Sequence, residues 1–290
     1  MKKILIAFTA ALLVPFTALT FNWPQTEQIN SDSFHSYFAQ LRGNTISNSL
    51  IFQEPSTVQA ADQGFISMIM VDYQDDSDFF PTALGNTIVI CHNDSLATIY
   101  GNLEEETVIN CLFKNEVVEN AEVLGQTGNS AWQQGKSSLE FQVIDLKNRT
   151  SINPRILMPR IGNELELYTQ NVTLIAKNGR RHELAVSRSI PAGTYKIYQK
   201  RLSVAVPYKT QIFLNGTLVD SISFGVLSEE DNKVCVKGNK SYSKEDLYPD
   251  KNLILTGEAN FTAGQILLQI SLKDINEKKE YNANYSLSVY

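Results

Sequence analysis

The sequence predicts an all-β protein of two modules, preceded by a secretory signal and one short helix. The chain has 290 residues and is 43% hydrophobic, which is enough for two compact cores. From Leu50 onward, short runs of β-branched and aromatic residues alternate with turns rich in Gly, Pro and Asn. Two prolines, Pro154 and Pro159, interrupt these runs. We therefore place the boundary between the modules near residue 162, with the modules at 31–160 and 163–290.

The first twenty residues have the pattern of a secretory signal. Two lysines precede an apolar run from Ile4 to Leu19, and small residues at its end offer cleavage positions. We expect residues 1–20 to be a signal peptide and the protein to be exported, to the periplasm or another extracytoplasmic part of the cell envelope. An uncleaved signal anchor is the alternative, because Thr20 before Phe21 is a poor cleavage site. We expect no membrane span beyond this segment.

A short amphipathic helix is predicted at the start of the first module. Apolar residues at helical spacing follow the N-cap candidates Ser31 to Ser33, and Gly43 supplies a stop. Farther along, the acidic segment from Asp72 to Asp78 is predicted to be an exposed loop, with a cation site as the weaker alternative.

The second module is predicted to be an immunoglobulin-like β-sandwich. Alternating apolar runs are separated by turn pairs at hairpin spacing, such as Asn178-Gly179 and Asn215-Gly216. The Cys and Trp pattern of antibody domains is absent from this part of the sequence.

Charge and cysteine content exclude several function classes. The net charge is −6 and no basic stripe runs along the sequence, so nucleic acid is not expected as a partner. Three cysteines, Cys91, Cys111 and Cys235, allow one disulfide at most and lack the spacing of metal ligands. Cys91 and Cys111 lie in one module and could pair in an oxidising compartment, but unpaired buried thiols are an equal alternative.

Four segments of the first module carry the pattern on which a functional prediction depends. They are GNTIVICHND from Gly85, TIYGNL from Thr98, EVLGQTGNS from Glu122 and SLEFQV from Ser138. Together they resemble the LytM or lysostaphin-type zinc endopeptidases, which cut peptidoglycan cross-bridges. The resemblance covers about residues 34–160 and implies a LytM-like β-sheet domain of the kind called a duplicated hybrid motif.

The resemblance also shows which ligands are missing. The family holds zinc with an early H-x-x-x-D and a late H-x-H, and it has a further histidine in a Tyr-x-His-Leu segment. Aligned to these motifs, this chain has Ser47 and Ile51 early, Asn102 in the middle, and Ser138 and Glu140 late. Of these side chains only that of Glu140 is a good metal donor, and one carboxylate does not hold zinc. We expect no catalytic residue, no metal and no other cofactor.

The remaining groove predicts binding in place of hydrolysis. Asn102 and Ser138 would present hydrogen-bonding groups and Trp132 an aromatic face, which suits contact with glycan or a short peptide. That these residues merely fill the vacated pocket is the alternative.

The favoured hypothesis is a catalytically inactive LytM-like envelope protein that binds peptidoglycan or regulates a cell-wall hydrolase. Degenerate members of the family that activate amidases imply this role. One alternative is an active zinc endopeptidase, in which Glu140 and Asp62 or His92 hold a metal; another is a structural surface scaffold. By itself, His92 is predicted to be a packed or hydrogen-bonded histidine.

Overall fold

A computed structural model shows a chain built almost entirely of β-strands. It describes residues 21–71, 82–112, 116–132, 137–202, 205–277 and 279–290. The predicted signal segment 1–20 and the predicted acidic loop from residue 72 lie outside these ranges. The predicted all-β class is confirmed. No helix in the described ranges is both long and apolar enough to cross a membrane.

The first module contains twelve short strands and one α-helix among its described residues. A single turn of 3₁₀-helix, Ser31–Ser33, precedes the first strand, and a second one, Pro154–Ile156, follows the last. The strands and helix are β1 (Phe34–Ser36), β2 (Leu41–Arg42), β3 (Thr45–Ile46), β4 (Leu50–Phe52), β5 (Thr57–Gln59), β6 (Gly64–Met70), β7 (Thr87–Cys91), β8 (Leu96–Gly101), α1 (Glu105–Leu112), β9 (Val117–Val118), β10 (Val123–Gln126), β11 (Glu140–Asp145) and β12 (Thr150–Ile152).

The second module continues with longer strands and one short helix. They are β13 (Thr173–Ala176), β14 (Arg181–Glu183), β15 (Ser189–Ile190), β16 (Gly193–Lys200), β17 (Lys209–Leu214), β18 (Thr217–Glu230), β19 (Lys233–Lys237), β20 (Ser241–Ser243), α2 (Lys244–Leu247), β21 (Leu253–Phe261), β22 (Gly264–Lys273) and β23 (Glu280–Val289).

One continuous sheet crosses the predicted boundary between the modules. Its main path runs β15-β23-β22-β17-β18-β12-β11-β8-β7-β6-β9. The crossing point is the antiparallel pair β12–β18, in which Ser151 lies opposite Leu227 and Ile152 opposite Val226. Just beyond it, the Asn153 N–H donates to the Gly225 carbonyl over 2.8 Å. The two modules therefore share backbone hydrogen bonds as well as side-chain packing.

The second module adds a four-stranded sheet, β14-β13-β16-β21, to its share of the main sheet. Apolar residues from both sheets, among them Leu174 and Ile197 on one and Leu268 and Ile270 on the other, form one buried cluster. This packing has two layers. The immunoglobulin-like topology of the module stays a prediction.

The predicted amphipathic helix near residue 34 is wrong. A helix would place Phe34, Tyr37 and Phe38 on one face and in one core. In the structure Phe34 and Tyr37 pack in the core of the first module, whereas Phe38 packs with residues of the second module. Strand β1 and the turn at residues 38–39 direct these side chains into two different cores. The chain then turns again at Gly43, which has a φ of +58°, to form the β2–β3 hairpin.

A junction cluster joins this hairpin to the second module. Phe38 and Ile46 are buried with Tyr242, Leu247 and Tyr248. The Tyr248 hydroxyl donates to the Ala39 carbonyl over 2.7 Å, and the Lys244 ammonium donates to the Asn44 side-chain oxygen over 2.9 Å. The second module thus holds the hairpin in place.

Candidate functional site

The five residues aligned to the family's ligand and catalytic positions lie together at one end of β4, β11 and β8. In the sheet register Glu140 of β11 lies opposite both Ile51 of β4 and Gly101 of β8. Asn102 directly follows Gly101, and its side-chain amide donates to the Ser138 carbonyl over 2.8 Å. The strands thus bring these positions into one cluster.

Glu140 is the centre of a buried polar network. The residue is 1% exposed, and the guanidinium of Arg42 pairs with its Oε1 atom. The Ser49 hydroxyl donates to the same oxygen over 2.8 Å. The hydroxyls of Ser47 and Ser49 lie 3.1 Å apart, so Ser47 is linked to Glu140 through Ser49. The carboxylate is therefore held by an internal cation and a hydroxyl.

The residues of this cluster do not fit a zinc ion. Zinc in proteins is held by three or four nitrogen, sulfur or carboxylate ligands that converge on one point. Here the five positions supply one carboxylate, one amide, two hydroxyls and the hydrocarbon side chain of Ile51. Across the described ranges, no cluster of three or more His, Cys, Asp or Glu side chains could hold a metal ion.

Asn102 connects two loops. Its backbone has a left-handed φ of +63°, a conformation that Asn tolerates better than most residues. Its side-chain oxygen accepts from the Ala131 N–H over 2.8 Å, while its amide group donates to Ser138. Asn102 itself is fully buried. The side chain predicted to face a ligand therefore holds the 131 and 138 segments together.

Trp132 is the member of the predicted set that faces solvent. Its backbone N–H donates to the Ala83 carbonyl over 3.2 Å, and the residue is 66% exposed. Its neighbour Ala131 is the residue bound by Asn102, so the indole lies one residue from the Asn102 network. The aromatic face remains available for contacts.

A tight glycine turn supports this edge of the site. Gly85 has a φ of +63°, and a Cβ at this position would lie 2.4 Å from the Ser130 carbonyl carbon. The neighbouring Asn86 N–H donates to the Ser130 hydroxyl over 2.9 Å. Only glycine combines this backbone angle with this close approach.

His92 and Asp62, the ligands of the alternative hypothesis, are engaged elsewhere. The His92 ring nitrogens lie 2.8 Å from the Gln63 carbonyl and 2.9 Å from the Thr98 hydroxyl. Asp62 Oδ1 accepts from the Gln63 N–H and from the Asn120 side chain. With both of its ring nitrogens occupied, His92 is not free to bind a metal.

The His92 network ends at a buried tyrosine. The Thr98 hydroxyl lies 3.1 Å from the Tyr100 hydroxyl, which also accepts from the Ala61 N–H over 2.8 Å. Burial raises the pKa of Tyr100 to about 12, because the phenolate would be desolvated. These residues form part of the core, and Tyr100 keeps its proton at neutral pH.

Sequence reasoning missed Arg42 and Ser49, the two residues that contact Glu140. A helix between the N-cap candidates Ser31 to Ser33 and the stop at Gly43 would include Arg42, and Ser49 is not at a ligand position of the family. The available signal was Gly43-Asn44 between two pairs of strand-compatible residues, which is a hairpin pattern. A hairpin there would have placed Arg42 on a strand.

The cysteines are free thiols in the described structure. Cys111 and Cys235 are buried, and Cys91 is partly exposed. The Cys111 thiol lies 3.8 Å from the Leu124 carbonyl. The structure therefore agrees with unpaired thiols and does not contain a Cys91–Cys111 bridge.

Comparison with known proteins identifies the first module. Residues 48–154 match the family model described as Peptidase family M23. This part of the chain is therefore similar to the M23, or LytM-type, peptidases. The resemblance seen in the sequence is thereby confirmed for the first module. A separate family model, which carries no description, matches residues 166–290.

Individual relatives are similar over shorter stretches. An uncharacterized protein of Treponema pallidum (strain Nichols) is 38% identical over 53 residues, which are 18% of this chain and 36% of that protein. A zinc-containing peptidase from Vibrio cholerae aligns in structure with a TM-score of 0.37 and 20% identity, covering 49% of this chain and 41% of its own. The SpoIIQ-SpoIIIAH pore-forming complex aligns with a TM-score of 0.35 and 18% identity, covering 49% of this chain and 92% of the matched one. The chain thus spans less than half of the Treponema and Vibrio relatives.

Proposed function

We propose that this chain is a catalytically inactive M23-type protein of the cell envelope that acts by binding peptidoglycan or a cell-wall hydrolase. The observation that carries the proposal is the ion pair between Arg42 and Glu140. It lies where the family places a metal ligand, and it is buried on the Glu140 side.

The ion pair supplies the positive charge that this carboxylate needs. A buried carboxylate is costly unless a cation or several hydrogen bonds compensate it. The family has a histidine at this position, so the carboxylate of this chain needs a positive charge of its own. Here the Arg42 guanidinium and the Ser49 hydroxyl provide it. The site is therefore electrostatically complete without zinc, and nothing in it draws in a divalent ion.

The position of Arg42 is fixed by the second module. Arg42 belongs to β2, and the hairpin that contains β2 is held by Tyr248 and Lys244. A guanidinium held on a fixed strand loses less conformational entropy when it pairs than one on a mobile loop. This supports a stable structural pair in place of a transient contact that a metal could displace.

The groove keeps features that suit binding. Near Glu140, the Asn48 side-chain amide donates to the Gln142 side-chain oxygen over 3.3 Å, and Trp132, next to the Asn102 partner Ala131, exposes its indole. Amides paired with an accessible aromatic face are the equipment of sites that hold sugar rings or peptides. Such a groove binds without needing a nucleophile.

Three measurements on the protein from residue 21 test the proposal. We expect elemental analysis to find less than stoichiometric zinc, and we expect purified sacculi incubated with the protein to release no muropeptides. We also expect the protein to be retained on sacculi or to capture a cell-wall hydrolase from an envelope extract. Stoichiometric zinc, or released muropeptides, would show an active enzyme and overturn the proposal.

A matched pair of variants examines the binding part. Trp132→Ala removes the exposed indole at the groove, whereas Tyr168→Ala removes a similarly exposed aromatic ring, 51% exposed, outside the first module. If the groove binds the wall, the first variant loses retention and the second keeps it. Equal retention of both variants would move binding away from the groove.

A further inference from the structure

The second module carries a groove of about 540 Å³ that the M23 resemblance does not include. It lies beside β13, β14 and the turn at residues 250–252. Its volume is within the range of sites for small ligands and short peptides. The lining is polar and includes Asn171, Thr173, Arg181, Glu183, Lys200 and Asp250.

The wall at residues 250–252 is fixed by its own hydrogen bonds. One carboxylate oxygen of Asp250 accepts the N–H groups of Asn252 and Leu253, over 2.9 and 3.1 Å. The Asn252 carbonyl in turn accepts from the Arg201 N–H over 2.6 Å. On the neighbouring strand the Lys200 N–H donates to the Gln170 carbonyl over 3.0 Å. The groove is therefore formed before any ligand arrives.

Charges of both signs face the groove in equal number. Arg181 and Asp250 form a loose ion pair, with 3.5 Å between Nη1 and Oδ2 and both side chains at least a third exposed. Lys200 and Glu183 make no ion pair within the described ranges, and both are exposed. One free cation and one free anion therefore remain at the groove.

From this arrangement we infer that the groove binds a short peptide segment carrying both ammonium and carboxylate groups. A balanced set of charges attracts neither a polyanion nor a polycation, but it complements a zwitterion. None of the lining residues is aromatic, so a stacking platform for sugar rings is missing. The side-chain amides of Asn171 and Asn252 can bond a peptide backbone.

This inference rests on the proposed function, because the peptides of peptidoglycan that are not cross-linked carry free amino and carboxylate groups. It differs from the proposed function in its location. The peptide is held by the second module, away from the Glu140 cluster.

Isothermal titration calorimetry of the protein from residue 21 tests the site with three probes. They are the tripeptide Ala-Ala-Ala with free termini, the same peptide acetylated and amidated so that it carries no charge, and the sugar chitotetraose. We expect the free peptide to bind with a Kd of about 1 mM or tighter and the capped peptide to bind at least about tenfold more weakly. We expect chitotetraose not to bind at the groove.

Charge-neutralising variants locate the binding. Lys200→Gln and Glu183→Gln lie in the groove, and their matched controls are Lys177→Gln and Glu229→Gln, which are exposed and outside it. We expect the groove variants to weaken the free peptide at least about fivefold and the controls to change it less than about twofold. All four side chains are exposed, so loss of folding does not explain a difference.

Several results would overturn the inference. They are the absence of peptide binding, equal effects of groove and control variants, or binding of chitotetraose that Lys200→Gln abolishes. Retention on sacculi tests the proposed function independently of the groove. If peptide binding fails and the protein is still retained on sacculi, the groove inference falls while the proposed function stands.

Discussion

Removing either partner of the Arg42–Glu140 ion pair should lower the stability of the protein, by an amount that depends on which partner is removed. Glu140 is 1% exposed, whereas the Arg42 side chain is 31% exposed. Arg42→Met leaves a buried carboxylate without its cation, a change that costs about 3–5 kcal/mol for fully buried pairs. Because Arg42 is partly solvated, we discount this to about 2 kcal/mol. By the same reasoning, Glu140→Gln should cost about 1 kcal/mol, since the remaining guanidinium reaches water.

Thermal and urea unfolding measure this asymmetry. Arg42→Met should lower the melting temperature by about 4 °C or more, and Glu140→Gln by roughly half as much. The double variant should show a coupling energy of about 1 kcal/mol or more. Arg180→Met, which removes an exposed arginine outside the site, serves as the control and should change stability by less than about 0.5 kcal/mol. If Arg42→Met matched this control, the buried carboxylate would not depend on Arg42 and the electrostatic argument would be refuted.

Three further predictions follow from the site and its supports. Restoring the family's ligands should create a zinc site, measured as one equivalent of bound zinc; a variant that still excludes zinc would show that the alignment of these positions is wrong. The substitutions required are Ser47→His, Ile51→Asp and Glu140→His, together with Arg42→Ala. Tyr248→Phe should lower stability by about 1 kcal/mol in urea unfolding, because it removes the hydrogen bond to the junction, and a neutral result would discount that anchor. The pKa of Tyr100 is raised from 10.0 to about 12 in the folded protein. Its contribution to the free energy of unfolding is therefore complete below pH 10 and is lost as the pH rises towards 12. Tyr100→Phe should therefore flatten the loss of stability over that window, and an unchanged pH profile would contradict this.

Strands with continuous apolar runs could be predicted from the sequence. The run from Thr87 to Cys91 is rich in β-branched residues, which favours a strand, and it forms β7 over the same residues. Such runs are buried on both faces or on one strongly apolar face, so local composition defines them. By contrast, β23 begins at Glu280, within a polar stretch whose composition does not indicate a strand. Its first half is a strand because it pairs with β22, which is not local information.

Non-local pairing also explains what was missed at the site. The positions of Ser47, Ile51, Asn102, Ser138 and Glu140 could be found by alignment to a motif. Arg42 could not, because β2 has two residues and its conformation depends on the junction with the second module. The β12–β18 pair could not be predicted either, because its strands lie some 75 positions apart in the sequence and neither one indicates locally that it pairs with the other. The sequence indicated which ligands are missing, but it did not indicate what compensates for their loss.

The shared sheet and the junction cluster make the second module part of the first module's site. Without the second module, β12 would lose its neighbour β18, and Phe38 and Ile46 would lose their apolar partners. The β2–β3 hairpin would then lose its anchors at Tyr248 and Lys244, and Arg42 would no longer be held against Glu140. A truncated first module would therefore have an uncompensated carboxylate in its groove and an exposed sheet edge, both of which favour non-specific association. For this reason binding assigned to either module has to be measured by point substitution in the whole chain, where the cation at Glu140 stays in place.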